Sequence, residues 1–505
     1  MTYQEHSRNR LPALLFAMTC LCVMPGNRHS AFGTQEASRA GAPEANATPS
    51  ASSATTVNPS EKAAEKKTPD VPKEPAVDHY PPSLLPDRVV LTWTGDPIHT
   101  QSVTWRTSVK AGRTVAQITV DDGGPNLEKT AKTVLGCATR LKTDSNEALF
   151  HSVTFDGLTP KTRYAYRVGD EKNWSEWFQF QTASEQAEPF SFLYFGDAQN
   201  DLRSRWSRVI RAAYRDAPKA AFMIHAGDLI NTAEKDQDWG EWFGAGAFLN
   251  AMVPSVPVPG NHEQAKVDDK TRRLTHHWRP SFTLPENGPM GLEETCYTLV
   301  YQGVRIIALN SNERLAEQKD WLEKTLAANK EKWVVCAFHH PIFSTGKDRD
   351  NKALRELWKP VFDKYRVDLV LTGHDHTYGR TGITTPAPTA DLAATINVGS
   401  GLSTVDQFTG TVYVVSVSGP KMYNVQKRTF MSRHAEDTQL YQIIRIDGDR
   451  LIYEAYTAAG SLYDAFTLTK QPGAPNQLVE QIPDTPERLR PPVEAAPKSA
   501  AEALK

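Results

Sequence analysis

Side chains able to hold a metal ion recur at one kind of place in this chain, just after an apolar run. Phe190 to Phe195 leads into Gly196-Asp197-Ala198-Gln199, and Phe222 to His225 into Gly227-Asp228. Val256 to Val258 leads into Gly260-Asn261-His262-Glu263. Val334 to Phe338 leads into His339-His340-Pro341, and Val367 to Leu371 into Gly373-His374-Asp375-His376. One Gly-Asp is usually a turn, and one His-x-His pair usually belongs to a loop. Five such endings in one order carry far more weight. Carboxylate, amide and imidazole donors that converge suit cations of intermediate hardness, such as Fe, Zn or Mn. His374 and His376, at i and i+2, point the same way in extended chain.

Convergence requires strands that lie side by side and end together. From Pro189 the hydrophobic pattern alternates between short β-rich runs and helical spacing. It predicts strands at Phe190–Phe195, Ala220–Ile224, Ser255–Pro259, Val304–Leu309, Trp333–Phe338 and Val367–Leu371. Helices are predicted at Arg203–Tyr214, Asp236–Met252, Leu315–Asn329 and Lys352–Lys364. Such alternation argues for an α/β domain with helices on the faces of its sheets, and the carboxyl ends of its strands form the ligand crevice. Ahead of it, residues 87–183 read as all-β. Tyr164, Tyr166 and Val168 share one strand face, and Tyr164 follows a Leu-x-Pro turn. That corner resembles the one in fibronectin type III sandwiches. Nothing in this segment looks catalytic, and packing is its expected role.

Taken in order, Gly-Asp, Gly-Asp, Gly-Asn-His-Glu, His-x-Pro and Gly-His-x-His make up the signature of the calcineurin-like metallophosphoesterases, which residues 188–470 resemble. The β-segment resembles the N-terminal domain of purple acid phosphatases in Leu91-Thr-Trp-Thr-Gly-Asp96 and Ser102-Val-Thr-Trp-Arg106. The resemblance implies two metal ions, Fe, Zn or Mn, roughly 3.5–4 Å apart. Asp228 would bridge them, Asp197 and His376 would hold the first, and Asn261, His339 and His374 the second. It also implies hydrolysis of phosphomonoesters by attack of a metal-bound hydroxide, with His262 protonating the leaving oxygen. A phosphodiesterase or nucleotidase would use the same ligands. A non-catalytic extracellular binding protein, with the β-domain as its working part, is the alternative of another class. His340 is left to face a small phosphorylated substrate, and Arg349 is a candidate for its phosphate, with Lys347 more simply a solvated charge.

The purple branch carries a tyrosine three residues after the bridging aspartate, where this chain has Asn231. Gln199, Asn231 or water could then complete the first metal's shell, with Gln199 favoured. Without a phenolate ligand the resemblance implies a pale protein and a greater preference for divalent ions. His225 is expected to be buried behind the site, Tyr378 beside the pocket, and the pair His276-His277 on the surface.

The 505 residues exceed what one domain needs. A formal net charge of −2 gives no bulk electrostatic case for nucleic acid or an anionic membrane. Arg8 and Arg10, the apolar Leu11 to Met24, and Ala31-Phe32-Gly33 read as an export signal over residues 1–33. Its apolar run is shorter than the roughly 20 residues of a membrane span, so a secreted or periplasmic protein without a span after cleavage is expected. Residues 34–86 and 471–505, rich in Ala, Pro, Lys and Glu, read as a disordered linker and tail. Cys20 and Cys22 fall in the signal. Cys137, Cys296 and Cys336 offer no C-x-x-C pair, hence no disulfide framework and no zinc–thiolate site, and Cys336, inside an apolar run, is expected to be buried.

Overall fold

The alternating pattern after residue 189 forms two sheets packed face to face, each of seven strands among the described residues. The computed structural model describes residues 77–383, 410–471 and 474–491. The expected signal and residues 34–76 of the expected linker lie outside them.

The first sheet runs in the order Ser255–Pro257, Met223–His225, Phe190–Phe195, Leu440–Asp447, Arg450–Thr457, Leu462–Thr469, Gln477–Glu480. Its first three strands are parallel and the rest antiparallel. The second runs Tyr297–Tyr301, Val304–Ala308, Trp333–Ala337, Leu369–Thr372, Val412–Val415, Tyr378–Thr381, Met431–Ala435. Within it, Val304–Ala308, Trp333–Ala337, Leu369–Thr372 and Val412–Val415 are parallel.

Period-two alternation sets the layers. Val335 and Ala337 join the core shared by the two sheets. Val334, Cys336 and Phe338 turn the other way, into a second core under the helices Leu315–Ala327 and Lys352–Tyr365. There the Phe338 ring sits 5.2 Å from Trp358, edge to face. Each large side chain so buried contributes roughly 1.5–3 kcal/mol, and Phe338 is the residue that precedes His339. Across the other face, the helices Ser207–Asp216 and Asp236–Gly246 pack through Val209, Ile210 and Trp242. The parallel strands of both sheets therefore end on a common rim.

Several boundaries differ from the sequence expectation. The strand expected at Ala220–Ile224 is Met223–His225. The helix expected from Arg203 starts at Ser207, after a wide turn over Leu202–Trp206 that Asn200 and Asp201 enter with φ of 68° and 46°. The helix from Asp236 stops at Gly246, and a tighter turn covers Ala247–Leu249. Residues 477–480, expected within a disordered tail, form a strand paired with Leu462–Thr469. Beyond them Glu487 accepts the His434 backbone N–H at 2.8 Å. Short apolar content hid this segment, because its ordering comes from backbone pairing and ion pairs on an existing sheet. The end of the expected linker is likewise packed, with Tyr80 against Gly240, where a Cβ would lie 2.4 Å from the tyrosine ring.

Residues 87–181 form two four-stranded sheets, one containing Asp87–Thr92 and Gln101–Ser108, the other Val115–Val120 and Arg163–Gly169. They share a core of Trp105, Phe155, Tyr166 and Phe180. The corner tyrosine closes as its spacing implies, with the Thr159 N–H donating to the Tyr164 hydroxyl at 2.8 Å. A register shift between Asp87 and Val90 puts Arg88 at φ 51°. Such a bulge re-aims a side chain, and here it turns Arg88 into the seam with the next domain. Its guanidinium holds both oxygens of Asp236, each at 2.8 Å. Arg106 and Asn146 reach Asp236 Oδ2 as well, at 3.3 and 3.0 Å. The Tyr166 hydroxyl adds a bond to the Ala251 carbonyl at 2.6 Å.

Candidate metal centre

The polar ends of five of these parallel strands meet around Asp228. Its φ of 51°, with 73° at His374 and 49° at His376, places three non-glycine residues of one site in the left-handed region. Such conformations cost on the order of 1–3 kcal/mol each and gather where function over-determines the backbone. Glycine neighbours make the approach possible. A Cβ on Gly227 would lie 2.6 Å from His339 Nδ1, and one on Gly260 would lie 2.2 Å from Asp228 Oδ1. The glycines beside Asp228 and Asn261 thus permit strand ends to touch.

Two groups of donors lie on either side of Asp228. Asn261 Oδ1 sits 3.0 Å from His339 Nε2 and 2.8 Å from His374 Nδ1. On the other side, Gln199 Nε2 lies 2.9 Å from both Asp228 Oδ2 and His376 Nε2, and Asp197 Oδ1 lies 3.7 Å from His376 Nε2. Asp228 Oδ2 also reaches His339 Nε2, at 3.2 Å. The outer nitrogens are tied down. His339 Nδ1 donates to the Ala226 carbonyl and His376 Nδ1 to the Lys421 carbonyl, at 2.9 and 2.8 Å. Both rings therefore turn Nε2 inward in the tautomer that leaves a lone pair there.

The electrostatics suit a cation. Burial, with the Asp228 charge added, pushes the Asp197 carboxyl well above its usual range. Burial pulls His376 and His340 down to about 3, which keeps both imidazoles neutral. His339 goes the other way: burial pulls it down, yet Asp228 and Asp197 outweigh that and raise it to about 9. In the metal-free fold a second proton, on His339 Nε2, thus stands where positive charge is wanted, and a bound cation would take that lone pair in its place. Asp197 Oδ1 and Gln199 Oε1 are buried with no hydrogen-bond partner. The bare Asp197 oxygen beside His376 and Asp228 fits the first of two metal ions, and Asn261, His339 and His374 fit the second. Among the described residues, Asp197, Asp228 and His339 form one group of close donors, and His339, His340 and His374 another.

Around this centre the remaining expectations fare differently. His262 is half-buried, and its Nδ1 hydrogen-bonds the Asn231 carbonyl, leaving Nε2 free. His340 bonds Ser311 Oγ through Nδ1 at 2.8 Å, with its ring 4.3 Å from His374. Arg349 does not stand free: it donates to the His374 carbonyl at 2.9 Å and lies over the Tyr423 ring, 4.7 Å from its centre. Tyr423 in turn stacks on His376 at 4.5 Å, so Arg349 buttresses the His374–His376 loop. The Asn231 side chain lies off the centre, bonded to Thr232 and lining an adjacent cleft. Tyr378 is not beside the pocket. It is buried, with its hydroxyl on Asp464 at 2.7 Å. His277 is not on the surface: it is 1 % exposed and stacks on Trp239 at 5.5 Å, while His276 is exposed. A polar pair at a helix start reads as solvated, and the buried Asp236 that draws His277 inward lies far away in sequence. His225 is buried as expected, in a cage of Phe195, Trp206 and Trp242.

Glu263 is the residue whose role the sequence left unread. Its carboxylate accepts the backbone N–H groups of Asp228, Leu229 and Gly260 at 2.9, 2.8 and 2.7 Å. It ties together two of the loops that present donors. Burial, then the Asp228 charge, raises it to about 7. Its place two residues after Asn261 was the available signal.

Residues 190–378 match the family model of the calcineurin-like phosphoesterases, and residues 86–182 that of the purple acid phosphatase N-terminal domain. An uncharacterized Mycobacterium tuberculosis protein is 28 % identical over 301 residues, 52 % of this chain and 56 % of that protein. The chain thus spans little more than half the length of that relative. Acid phosphatase type 7 of Mus musculus is 26 % identical over 59 % of this chain and 71 % of its own. The Fe(3+)-Zn(2+) purple acid phosphatase 12 of Arabidopsis thaliana is 24 % identical over 62 % and 68 %. Among solved structures, purple acid phosphatase PPD1 from yellow lupin seeds superposes with a TM-score of 0.63 at 17 % identity, over 76 % of this chain and 74 % of that one.

Proposed function

Since this chain belongs to the calcineurin-like metallophosphoesterases and carries a purple acid phosphatase N-terminal domain, we propose that it is an exported phosphatase that hydrolyses phosphomonoesters at a two-metal centre. The observation that carries the reading is the pair of donor groups flanking Asp228, with Asp197 Oδ1 bare of hydrogen bonds beside His376. When bound, two metal ions would lower the pKa of water toward neutrality and polarise the phosphate oxygens.

The chain's own residues do the rest. Asp197, Gln199, Asp228 and His376 define one side of the centre, and Asn261, His339 and His374 the other. His262 is the proton donor to the leaving oxygen. Its Nδ1–H is anchored on the Asn231 carbonyl, so its Nε2 carries the proton that moves. His340, held by Ser311, presents Nε2 toward substrate beside His374. Arg349 and Tyr423 fix the loop that carries His374 and His376. Export is read from Arg8, Arg10 and the apolar Leu11 to Met24, and no helix among the described residues is long and apolar enough to cross a membrane.

Metal analysis of the purified full chain, with turnover of a chromogenic phosphomonoester and the matching diester, tests the reading. Two equivalents of metal and faster monoester turnover are expected. Metal-replete protein that hydrolyses neither ester overturns it. Amino-terminal sequencing of protein recovered from outside the host cytoplasm tests export, with a start near Thr34 expected.

A further inference from the structure

Beside the centre lies a cleft of about 520 Å³, lined by Asn231, Ser204, Arg203, Lys235, Asp238 and Glu241 among others. Its size falls within the roughly 300–1,000 Å³ of ligand pockets. Two links join it to the centre. Asn200, on its wall, follows Gln199. Asn231, on the same wall, holds His262 through its carbonyl. An in-line displacement puts the leaving group on the side of its proton donor, so the cleft lies where the alcohol part of a substrate goes.

The lining states what kind of alcohol. Asp201, Asp238 and Glu241 against Arg203 and Lys235 leave one excess negative charge, which disfavours a second phosphate. Lys235 is already partnered by Asp238 at 3.0 Å. Glu241 accepts the Arg203 backbone N–H at 3.4 Å and a Gln237 amide N–H at 3.3 Å, both long. The walls carry both donors and acceptors, with amides at Asn200 and Asn231 and a hydroxyl at Ser204. A hydroxyl both donates and accepts, so a ring of hydroxyls can answer both kinds of wall group. Sites built to bond substrate hydroxyls discriminate strongly against analogues that lack them.

We infer that this cleft is the leaving-group subsite, and that it selects phosphomonoesters of polyhydroxylated alcohols such as sugars and cyclitols. The inference rests on the phosphatase reading above. Its test is the ratio of kcat/KM for a hexose phosphate to that for p-nitrophenyl phosphate, with choline phosphate alongside, on the metal-loaded full chain. Two variants probe the cleft. Glu241→Gln removes an acceptor, and Ser204→Trp fills the space from an exposed turn. In Glu241→Gln the hexose-to-aryl ratio should fall about tenfold, the loss of one charged hydrogen bond, and in Ser204→Trp the lost space should lower it as well. An unchanged ratio in both variants overturns the subsite. A preference for choline phosphate that Glu241→Gln abolishes also overturns it, in favour of a cation pocket. If the wild type hydrolyses no ester at all while metal-replete, the phosphatase reading has failed rather than the subsite.

Discussion

Asp228 and Asp236 are both aspartates buried almost completely, eight residues apart, yet they sit in opposite settings. Asp236 has both oxygens claimed by the chain, from Arg88, Arg106 and Asn146. Burial opposes its ionisation, but the Arg88 and Arg106 guanidiniums hold it below the usual carboxylate range. Asp228 also accepts bonds, from the His262 backbone N–H and Gln199 Nε2, but it faces another buried carboxylate, Asp197, whose Oδ1 has no hydrogen-bond partner. The first arrangement completes itself and joins two domains. The second is incomplete without a cation. Buried charge that the chain neutralises holds structure, and buried charge that it leaves open marks where a ligand enters.

The sharpest way to break this contrast is to neutralise each aspartate. Asp228→Asn should lower phosphomonoester turnover at least about 10⁴-fold, the several kcal/mol that a metal supplies as Lewis acid. Steady-state assays beside metal analysis decide it, and near wild-type turnover with full metal content would undo the bridging assignment. Asp236→Ala should do the reverse. It strands Arg88 in a buried position, which costs about 3–5 kcal/mol, read as a lower urea midpoint, while turnover per folded molecule stays close to wild type. A stability loss under 1 kcal/mol would remove Asp236 from the seam's hub.

His262 sharpens the contrast within the centre itself. His262→Ala should slow an alkyl phosphate by about 10²–10³-fold, and an activated aryl phosphate much less, since a good leaving group needs little protonation. Equal losses on both esters would make His262 a phosphate-binding or structural residue.

His225 offers a third kind of buried polar group, with neither partner nor ligand. Both ring nitrogens lack hydrogen bonds, and burial pulls its pKa from 6.5 to about 3. The folded form therefore stays neutral while the unfolded chain takes up a proton below pH 6.5. Its stability is fully present above that pH and lost as pH falls toward 3. His225→Phe, against Phe195 and Trp242, removes the proton uptake. Between pH 7 and 5 the variant should lose about 2 kcal/mol less stability than wild type. Parallel pH profiles for the two proteins would count against a neutral, buried His225.

The centre was legible in sequence because each donor follows a β-rich run and the chemistry repeats at every strand end. Asp197, Gln199, Asp228, Asn261, His339, His374 and His376 come together for that reason. The seam was not legible. Arg88 and Asp236 lie 148 residues apart, and a bulge rather than a motif aims Arg88. Arg349 was legible only in part: a guanidinium near a phosphate site reads as a phosphate ligand, while the carbonyl of His374 that engages its Nη1 leaves no trace in sequence. The same blindness hid His277, whose partner Trp239 and neighbour Asp236 belong to another helix.

The short strand Gln477–Glu480 has a consequence for anyone trimming this protein. It caps Leu462–Thr469, an eight-residue strand that buries Phe466 and Leu468, and Glu480 pairs with Arg380 at 2.8 Å. A truncation before residue 474 would open that strand's backbone to solvent and leave a longer, more apolar edge. Exposed edges of that type template intermolecular pairing. A shortened version chosen to discard an apparently featureless tail should therefore express as aggregate, whereas one cut after Pro491 should stay monodisperse.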